Sequence, residues 1–227
     1  MKTLIVPDIH ERTWALTALE PKIETADRVV FLGDWFDTYQ PKGLQGWVAD
    51  WVLERLHDDK FTFLWGNHDT SYAFKHPDFN CSGYNPATKA ILDHKFGKED
   101  WQRFKVWTEV GPFVVSHAGF RPETVQFMNQ TETAIEEALA GKFHPLWEAG
   151  WTVGGTAEWG GPTWLRWWEM LPQGLEEGGT AFPQVVGHTI GETVRQEGNN
   201  ICLDTNNKHF MWVEKVDEGW HWKVEEL

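Results

Sequence analysis

Five short stretches of this 227-residue chain carry side chains able to hold metal ions or move protons. They are Asp8-Ile9-His10, Gly33-Asp34-Trp35-Phe36-Asp37, Gly66-Asn67-His68-Asp69, Ser116-His117-Ala118-Gly119 and Gly187-His188-Thr189. Taken singly, each is ordinary turn or cap chemistry, because Asp, Asn, Gly and Ser serve turns for local reasons. Jointly they offer carboxylates, imidazoles and an amide oxygen, without thiolate. That set suits Mn, Fe or Zn better than Ca or Cu(I). A phosphate ester resists hydrolysis because water is a poor nucleophile and the group to be transferred is already anionic. Two dications held ~3.5–4 Å apart answer both problems, lowering the pKa of a shared water and clamping the phosphoryl oxygens. Such a pair needs one bridging carboxylate, for which Asp34 is the natural choice.

Each stretch follows an apolar run with strand character: Leu4-Val6, Arg28-Leu32, Phe61-Trp65, Phe113-Val115 and Gln184-Val186. Short apolar runs bounded by Gly read as buried strands. In open α/β sheets the crevice outside the carboxyl ends of the strands is where ligands sit. The segment Glu11 to Glu24 reads as a crossover helix, with Trp14, Leu16 and Leu19 available to pack. Leu44, Trp47, Val48, Trp51, Val52 and Leu56 follow helical spacing and predict a second helix covering the sheet. Strand, helix and strand alternating through residue 65 predict a right-handed βαβαβ opening and a mixed sheet. Residues 70–104 read as short helices and a loop over the site. Lys105-Val110 and Pro112-Ser116, split by Gly111, read as a hairpin opening a second sheet. A helix is expected near Thr131 to Leu139, then an irregular region dense in Gly and Trp. Strands at Asn200-Leu203, Phe210-Val216 and Trp220-Val224 close the chain, with Gly219 at the last turn.

The five stretches, in this order, resemble the calcineurin-like metallophosphoesterase superfamily. His117-Ala118-Gly119, the single His188 in the last stretch and Cys202-Leu203-Asp204-Thr205 are similar to bacterial and phage members of the serine/threonine phosphoprotein phosphatase branch. The resemblance implies two mixed β-sheets in an αββα sandwich, with a dimetal site at the C-terminal ends of the strands. It implies Asp8, His10 and Asp34 on one metal, and Asp34, Asn67, His117 and His188 on the other, manganese being the first expectation and iron or zinc possible. His68 becomes the general acid that protonates the leaving oxygen, aimed by Asp37. Imidazole suits that task, since its ordinary pKa is about 6.5. Asp69 reads as a turn-capping carboxylate. The implied reaction is in-line attack on a phosphomonoester by a metal-bridging hydroxide, with a phosphoprotein as substrate. Two alternatives stand beside it: hydrolysis of dinucleoside polyphosphates or other small nucleotides, and a non-catalytic scaffold of the same fold.

The chain departs from that branch in one place. Arg-Gly usually follows the second Asp, whereas here the run is Asp37-Thr38-Tyr39. Arg166, in Trp164-Leu165-Arg166-Trp167, resembles the family's other phosphate-gripping arginine. A planar guanidinium can clamp phosphate oxygens bidentately. Arg121 is a second, weaker candidate. Of the 16 tryptophans most are expected in the core. Trp35 and Trp65 adjoin the motifs, while Trp159, Trp164, Trp167 and Trp168 gather near the expected mouth, where ring faces could stack on a base.

Composition bounds the remainder. The length fits one domain over residues 1–227, with a Trp/Gly-rich insertion near 121–183 that shapes the mouth. A net charge of −14, from 34 acidic and 20 basic residues, opposes an extended grip on nucleic-acid backbone. Two distant cysteines, Cys81 and Cys202, imply neither a disulfide framework nor a thiolate zinc site, and make a reducing cytoplasm the expected compartment. No apolar run approaches the roughly 20 residues that span a bilayer, so no membrane association is expected.

Overall fold

The computed structural model describes residues 1–38, 43–75, 79–170, 180 and 182–227. Its strands are β1 (Lys2–Val6), β2 (Arg28–Phe31), β3 (Phe61–Phe63), β4 (Trp107–Val110), β5 (Phe113–Ser116), β6 (Gln184–Val186), β7 (Arg195–Glu197), β8 (Asn200–Cys202), β9 (His209–Val216) and β10 (Gly219–Glu226). Its helices are α1 (Thr13–Thr25), α2 (Gln45–Arg55), α3 (Asn67–Ala73), α4 (Pro86–Lys95), α5 (Lys98–Trp101), α6 (Pro122–Val125) and α7 (Thr131–Leu139).

β1, β2 and β3 pair in parallel, as helical crossovers demand. The β9–β10 hairpin adds antiparallel to β1, giving the order β10-β9-β1-β2-β3. The second sheet, β4-β5-β6-β8-β7, has a parallel centre and antiparallel edges. Both sheets are therefore mixed, as the sequence predicts.

The period of two along each strand sorts the core into layers. Ile5, Val30, Val115, Val185, Ile201 and Met211 meet between the sheets. Their neighbours Leu4, Val29 and Phe31 face the other way, against Leu16 and Leu19 of α1 and Val48 and Val52 of α2. On the far face of the second sheet, Val186 and Cys202 pack under Ala118, Leu165 and Met170. Each fully buried side chain of this kind contributes ~1.5–3 kcal/mol. Phe31 stacks on Phe63 at 5.7 Å, and its truncation to Ala would cost ~3–5 kcal/mol. With both faces packed, the strand ends are rigid mounts for the loops that follow them.

One sequence expectation needs correction, and one strand carries no sequence signal. Trp14 and Trp47 are 55% and 45% exposed. The buried stripe of α1 runs through Ala15, Leu16, Leu19 and Ile23, and that of α2 through Val48, Ala49 and Val52. Each Trp stands one residue off its stripe, about 100° around the helix. β7 was not anticipated, because an edge strand whose side chains are largely exposed carries no apolar alternation. In the 121–183 segment, three-residue 3-10 turns at Pro145–Trp147, Trp151–Val153 and Trp167–Glu169 follow α6 and α7. Its stretch 171–179 lies outside the described residues, as does Tyr39 after the second motif.

Candidate metal centre

The loops after β1 and β2 are locked together by their backbones. The amides of Ile9 and His10 both donate to the Asp34 carbonyl, at 3.1 and 2.8 Å. The first turn of α3 joins them through Asp69, whose carboxylate accepts from the amides of Asp34 (2.8 Å), Trp35 (2.9 Å) and Gly66 (3.0 Å). Asp69 thus braces two motifs from one buried position, the capping role expected of it extended across a loop. Two glycines make room for carboxylates. A methyl on Gly66 would lie 2.8 Å from Asp34 Cγ, and one on Gly187 3.2 Å from Asp8 Cγ, each nearer still to a carboxylate oxygen.

His10, Glu11, Asp34, Asp37 and His188 all adopt left-handed backbone, with φ of 46°, 58°, 53°, 68° and 61°. Among the described residues the other non-glycine cases are Asn206 and Asn207. Sparsely populated backbone of this kind costs ~1–3 kcal/mol per residue and clusters where function over-determines the chain.

Hydrogen bonds set the imidazole tautomers. His10 Nδ1 lies 2.9 Å from the Asp37 carbonyl and His117 Nδ1 2.8 Å from the Leu32 carbonyl. A carbonyl only accepts, so each Nδ1 carries the proton and each Nε2 presents a lone pair. His10 Nε2 then lies 3.6 Å from Asp34 Oδ2, and His117 Nε2 lies 3.4 Å from the same oxygen. Asp34 Oδ2 therefore stands between two imidazoles, as a bridging ligand must. His117 Nε2 is also 3.1 Å from Asn67 Oδ1 and 3.1 Å from His188 Nδ1. Asp8 accepts the His188 backbone amide at 3.0 Å, close to the first group.

Electrostatics tell the same story. Burial pushes the pKa of His10 and His117 down to about 3 and that of His188 well below its ordinary value. Burial also raises Asp8, with the charges of Asp204 and Asp34 adding to it, and raises Asp34, with Asp69 adding to it. Neutral imidazoles, a carboxamide oxygen and crowded carboxylates converge on one place, a donor set that a divalent cation would satisfy. His188 Nε2 is buried with no hydrogen-bond partner. A lone pair facing an amide oxygen at 3.1 Å is repulsive unless a positive charge lies near both. The residues fit divalent cations: His10, Asp34 and His68 form one compact ligating group, and Asp34, His117 and His188 another, sharing Asp34. The sequence expectation has Asp8 in place of His68, whose ring, with its pKa raised to about 10, carries protons on both nitrogens and so offers no lone pair to a cation.

His68 is engaged differently. Its Nδ1 donates to Asp37 Oδ2 at 3.0 Å and lies 3.3 Å from Cys81 Sγ. Burial alone would disfavour its charge, but the bonds to Asp37 and Cys81 outweigh this and raise its pKa to about 10. Tyr72 donates its hydroxyl to Asp37 Oδ1, so both carboxylate oxygens are fixed. Asp34 Oδ1 accepts the His68 amide at 2.9 Å.

A cavity of about 290 Å³ opens over this centre, with His10, Asp34, Asn67, His68, His188 and Arg166 in its walls. Arg166 stands on the second-group side, where its charge bears on His117 and His188. Arg121 is not among the lining residues. Its Nε bonds Glu123 at 3.1 Å, its guanidinium lies over Trp159 at 3.7 Å, and it donates to the Glu169 carbonyl. This arginine is thereby tied to its own segment. Trp35 and Trp65 are fully buried in the aromatic core. Of the four tryptophans expected near the mouth, Trp164 lines the cavity, Trp159 supports Arg121, Trp167 packs against the Leu165 cluster and Trp168 is 67% exposed. A larger cleft of about 500 Å³ around Arg103, Lys105 and Glu132 holds none of the ligating groups.

Four contributors lie outside the site residues expected from the sequence, although Asp204 belongs to one of the stretches that carry the resemblance. Tyr72 was accessible, because it follows His68 by four residues on one helix face. Arg12 and Asp204 line the cavity, and Cys81 reaches His68; only the folded loops bring these three in.

Two mixed sheets whose strand ends bring His, Asp and Asn donors together around one shared carboxylate form a centre that fits two divalent cations. The calcineurin-like phosphoesterase model matches residues 1–188, and the chain belongs to that family. Its members are dimetal-dependent, and this chain is a metal-dependent phosphatase of the hydrolase class. None of the curated proteins matches it in sequence. Solved structures show the same fold. A cold-active protein-tyrosine phosphatase of a psychrophilic Shewanella species is 16% identical, with a TM-score of 0.63 over 100% of this chain and 80% of that one. A protein serine/threonine phosphatase from Saccharomyces cerevisiae is 15% identical, with a TM-score of 0.55 over 100% and 80%. A putative diadenosine tetraphosphatase is 16% identical, with a TM-score of 0.52 over 99% and 93%. Among the described residues no helix is long and apolar enough to cross a membrane.

Proposed function

We propose that the chain hydrolyses phosphomonoesters, with phosphoserine or phosphothreonine in proteins as the substrate class, and that it works with two divalent cations, manganese foremost. The observation that carries this reading is the His68–Asp37–Tyr72 relay beside the shared Asp34. A protonated imidazole, fixed at Nδ1 and raised to about 10, is equipped to donate from Nε2 to a departing alkoxide.

When bound, the cations supply an activated water and charge compensation for the phosphoryl group. Asp8, His10, Asp34, Asn67, His117 and His188 hold them. Asp37 keeps His68 protonated and aimed, and Tyr72 keeps Asp37 from turning away. Arg166 offers its planar donors to the phosphoryl oxygens. A serine alkoxide is a poor leaving group, so a positioned acid matters more for it than for an activated phenolate.

A second reading rests on Trp164. Its ring lines the cavity next to His188, at 6.1 Å between centroids, and a nucleobase could stack there. Turnover of p-nitrophenyl phosphate, a phosphoserine peptide and a dinucleoside tetraphosphate by the Mn-loaded protein, beside His68→Ala, separates the readings. Preference for the peptide, lost in His68→Ala with metal retained, is expected. Preference for the dinucleotide would move the substrate class to nucleotides, and no turnover of any ester would sink both.

A further inference from the structure

We infer that Arg12 is a second anion-binding arginine of the same site, gripping a dianionic phosphate from the side opposite Arg166; this rests on the phosphoesterase reading. Arg12 follows directly on His10 and Glu11, whose left-handed backbone turns the chain back before α1 begins. Its side chain lines the cavity together with His10, Asp204 and Asn206.

The guanidinium is mounted by neutral oxygens. Nη1 donates to Asn207 Oδ1 at 2.8 Å and to the Ile9 carbonyl at 3.4 Å, while Nη2 donates to Asn206 Oδ1. Among the described residues no carboxylate lies within ion-pair distance of it. Asn206 and Asn207 hold left-handed backbone, φ 63° and 61°, to present those oxygens. Asn207 is itself tied down, its Nδ2 donating to the Asp8 carbonyl at 2.5 Å. An arginine fixed along one edge, and not neutralised by direct pairing, keeps its remaining donors and its charge for a ligand.

The two arginines divide the centre. Arg12 enters from the turn after His10, held by Asn206 and Asn207, and Arg166 from the turn after Trp164, whose ring lies 6.1 Å from that of His188; both line the cavity. A phosphate placed across the shared Asp34 would have one guanidinium on each flank. Thr38, which carries no charge, also lines the cavity. Two flanking cations favour a dianionic monoester over a monoanionic diester, because a diester has one fewer charged oxygen to offer a fork. The competing role is a counter-charge for Asp8 and Asp204, whose fields reach Arg12.

The test uses the full Mn-loaded chain with p-nitrophenyl phosphate, bis(p-nitrophenyl) phosphate and inorganic phosphate as inhibitor. In Arg12→Gln, monoester kcat/KM should fall ~10- to 100-fold, mainly through KM, and the phosphate inhibition constant should rise alike, the size of one lost charged hydrogen bond or two. Diester turnover should change less than about threefold. Arg12→Lys should fall between, and Asn206→Ala, which frees one edge of the guanidinium, should shift the same ratio in the same direction should Arg12→Gln fold poorly. Unchanged phosphate inhibition and an unchanged monoester-to-diester ratio in a folded Arg12→Gln would overturn the inference. So would loss of metal stoichiometry or melting temperature without a change in that ratio, which would make Arg12 a counter-charge. A wild-type protein that turns over no ester would instead remove the reading on which the inference stands, and the inference with it.

Discussion

Replacing Gly66 by Ala tests whether the centre depends on carboxylate placement alone. Gly66 has φ −101° and ψ 164°, backbone that alanine adopts without strain. The substitution is therefore purely steric. Its new methyl would stand 2.8 Å from Asp34 Cγ, and nearer to the Asp34 amide and Oδ1. Carbon atoms in contact sit ~3.5–4.0 Å apart, so the overlap is about 1 Å. Rotating the carboxylate cannot relieve it, since the Asp34 backbone is also in the way and is tied to His10 and Asp69. Overpacking of this kind costs ~1–3 kcal/mol, a fall in melting temperature of roughly 2–12 °C for a chain of this length. Displacing Asp34 by about 1 Å should lower turnover ~10²-fold and weaken metal binding. Gly46→Ala is the control: it lies inside α2, with Lys95 Cε as nearest atom at 3.6 Å, and should add ~0.5–1 kcal/mol. Calorimetry with and without Mn, metal titration and kcat on both variants decide the matter. Wild-type metal affinity and turnover within about twofold in Gly66→Ala would refute the argument.

Other outcomes follow from the same geometry. Tyr72→Phe leaves the buried Asp37 Oδ1 short of its donor and should cost ~1–3 kcal/mol in urea unfolding, with lower kcat and metal content unchanged. His68→Ala should remove most turnover while metal stays bound; full activity would exclude it as the acid. The His68 pKa is raised from 6.5 to about 10, so the stabilisation of its charged form is complete below pH 6.5 and lost as pH rises through 10. The alkaline limb of kcat/KM should accordingly lie no higher than about 10 and move to lower pH in Asp37→Asn; an unmoved limb would break the link between the two. Metal-free protein should lose stability from pH 6.5 to about pH 8, because Asp69, raised by burial to about 7, and Asp8 and Asp34, raised well above their ordinary range, bind protons folded that they release unfolded. His10 and His117 add no slope there, since both states are neutral above 6.5. Urea midpoints across that window, with and without Mn, should diverge.

The donor set was legible because each donor follows a strand whose own signal is strong. Leu4-Ile5-Val6 and Val29-Val30-Phe31 read as buried on both faces, and the polar residue after each must then lie at a sheet edge. The remainder was hidden for a physical reason. Arg12 enters the cavity only because His10 and Glu11 take left-handed backbone, and nothing in their residue types demands that. Asn206 and Asn207, far along the chain, supply its mount. Trp14 and Trp47 were misplaced because a large apolar side chain looks like core at any helical position within one residue of the stripe. Cys81 reaches His68 from a loop with no regular pattern.

The site contains two circuits that meet at one carboxylate. In the first, carbonyls of Asp37 and Leu32 fix the imidazoles of His10 and His117, which face Asp34 Oδ2. In the second, Tyr72 fixes Asp37, which fixes His68. Asp34 Oδ1 accepts the His68 amide, so the residue that would bridge the cations also holds the backbone of the proposed acid. Asp37 closes the loop from the other end, its carbonyl on His10 and its carboxylate on His68. Any shift of Asp34 must therefore disturb both His pairs and His68 together, whereas a shift of Tyr72 reaches His68 first. That asymmetry is why Gly66→Ala should lose metal and turnover at once, and Tyr72→Phe turnover alone.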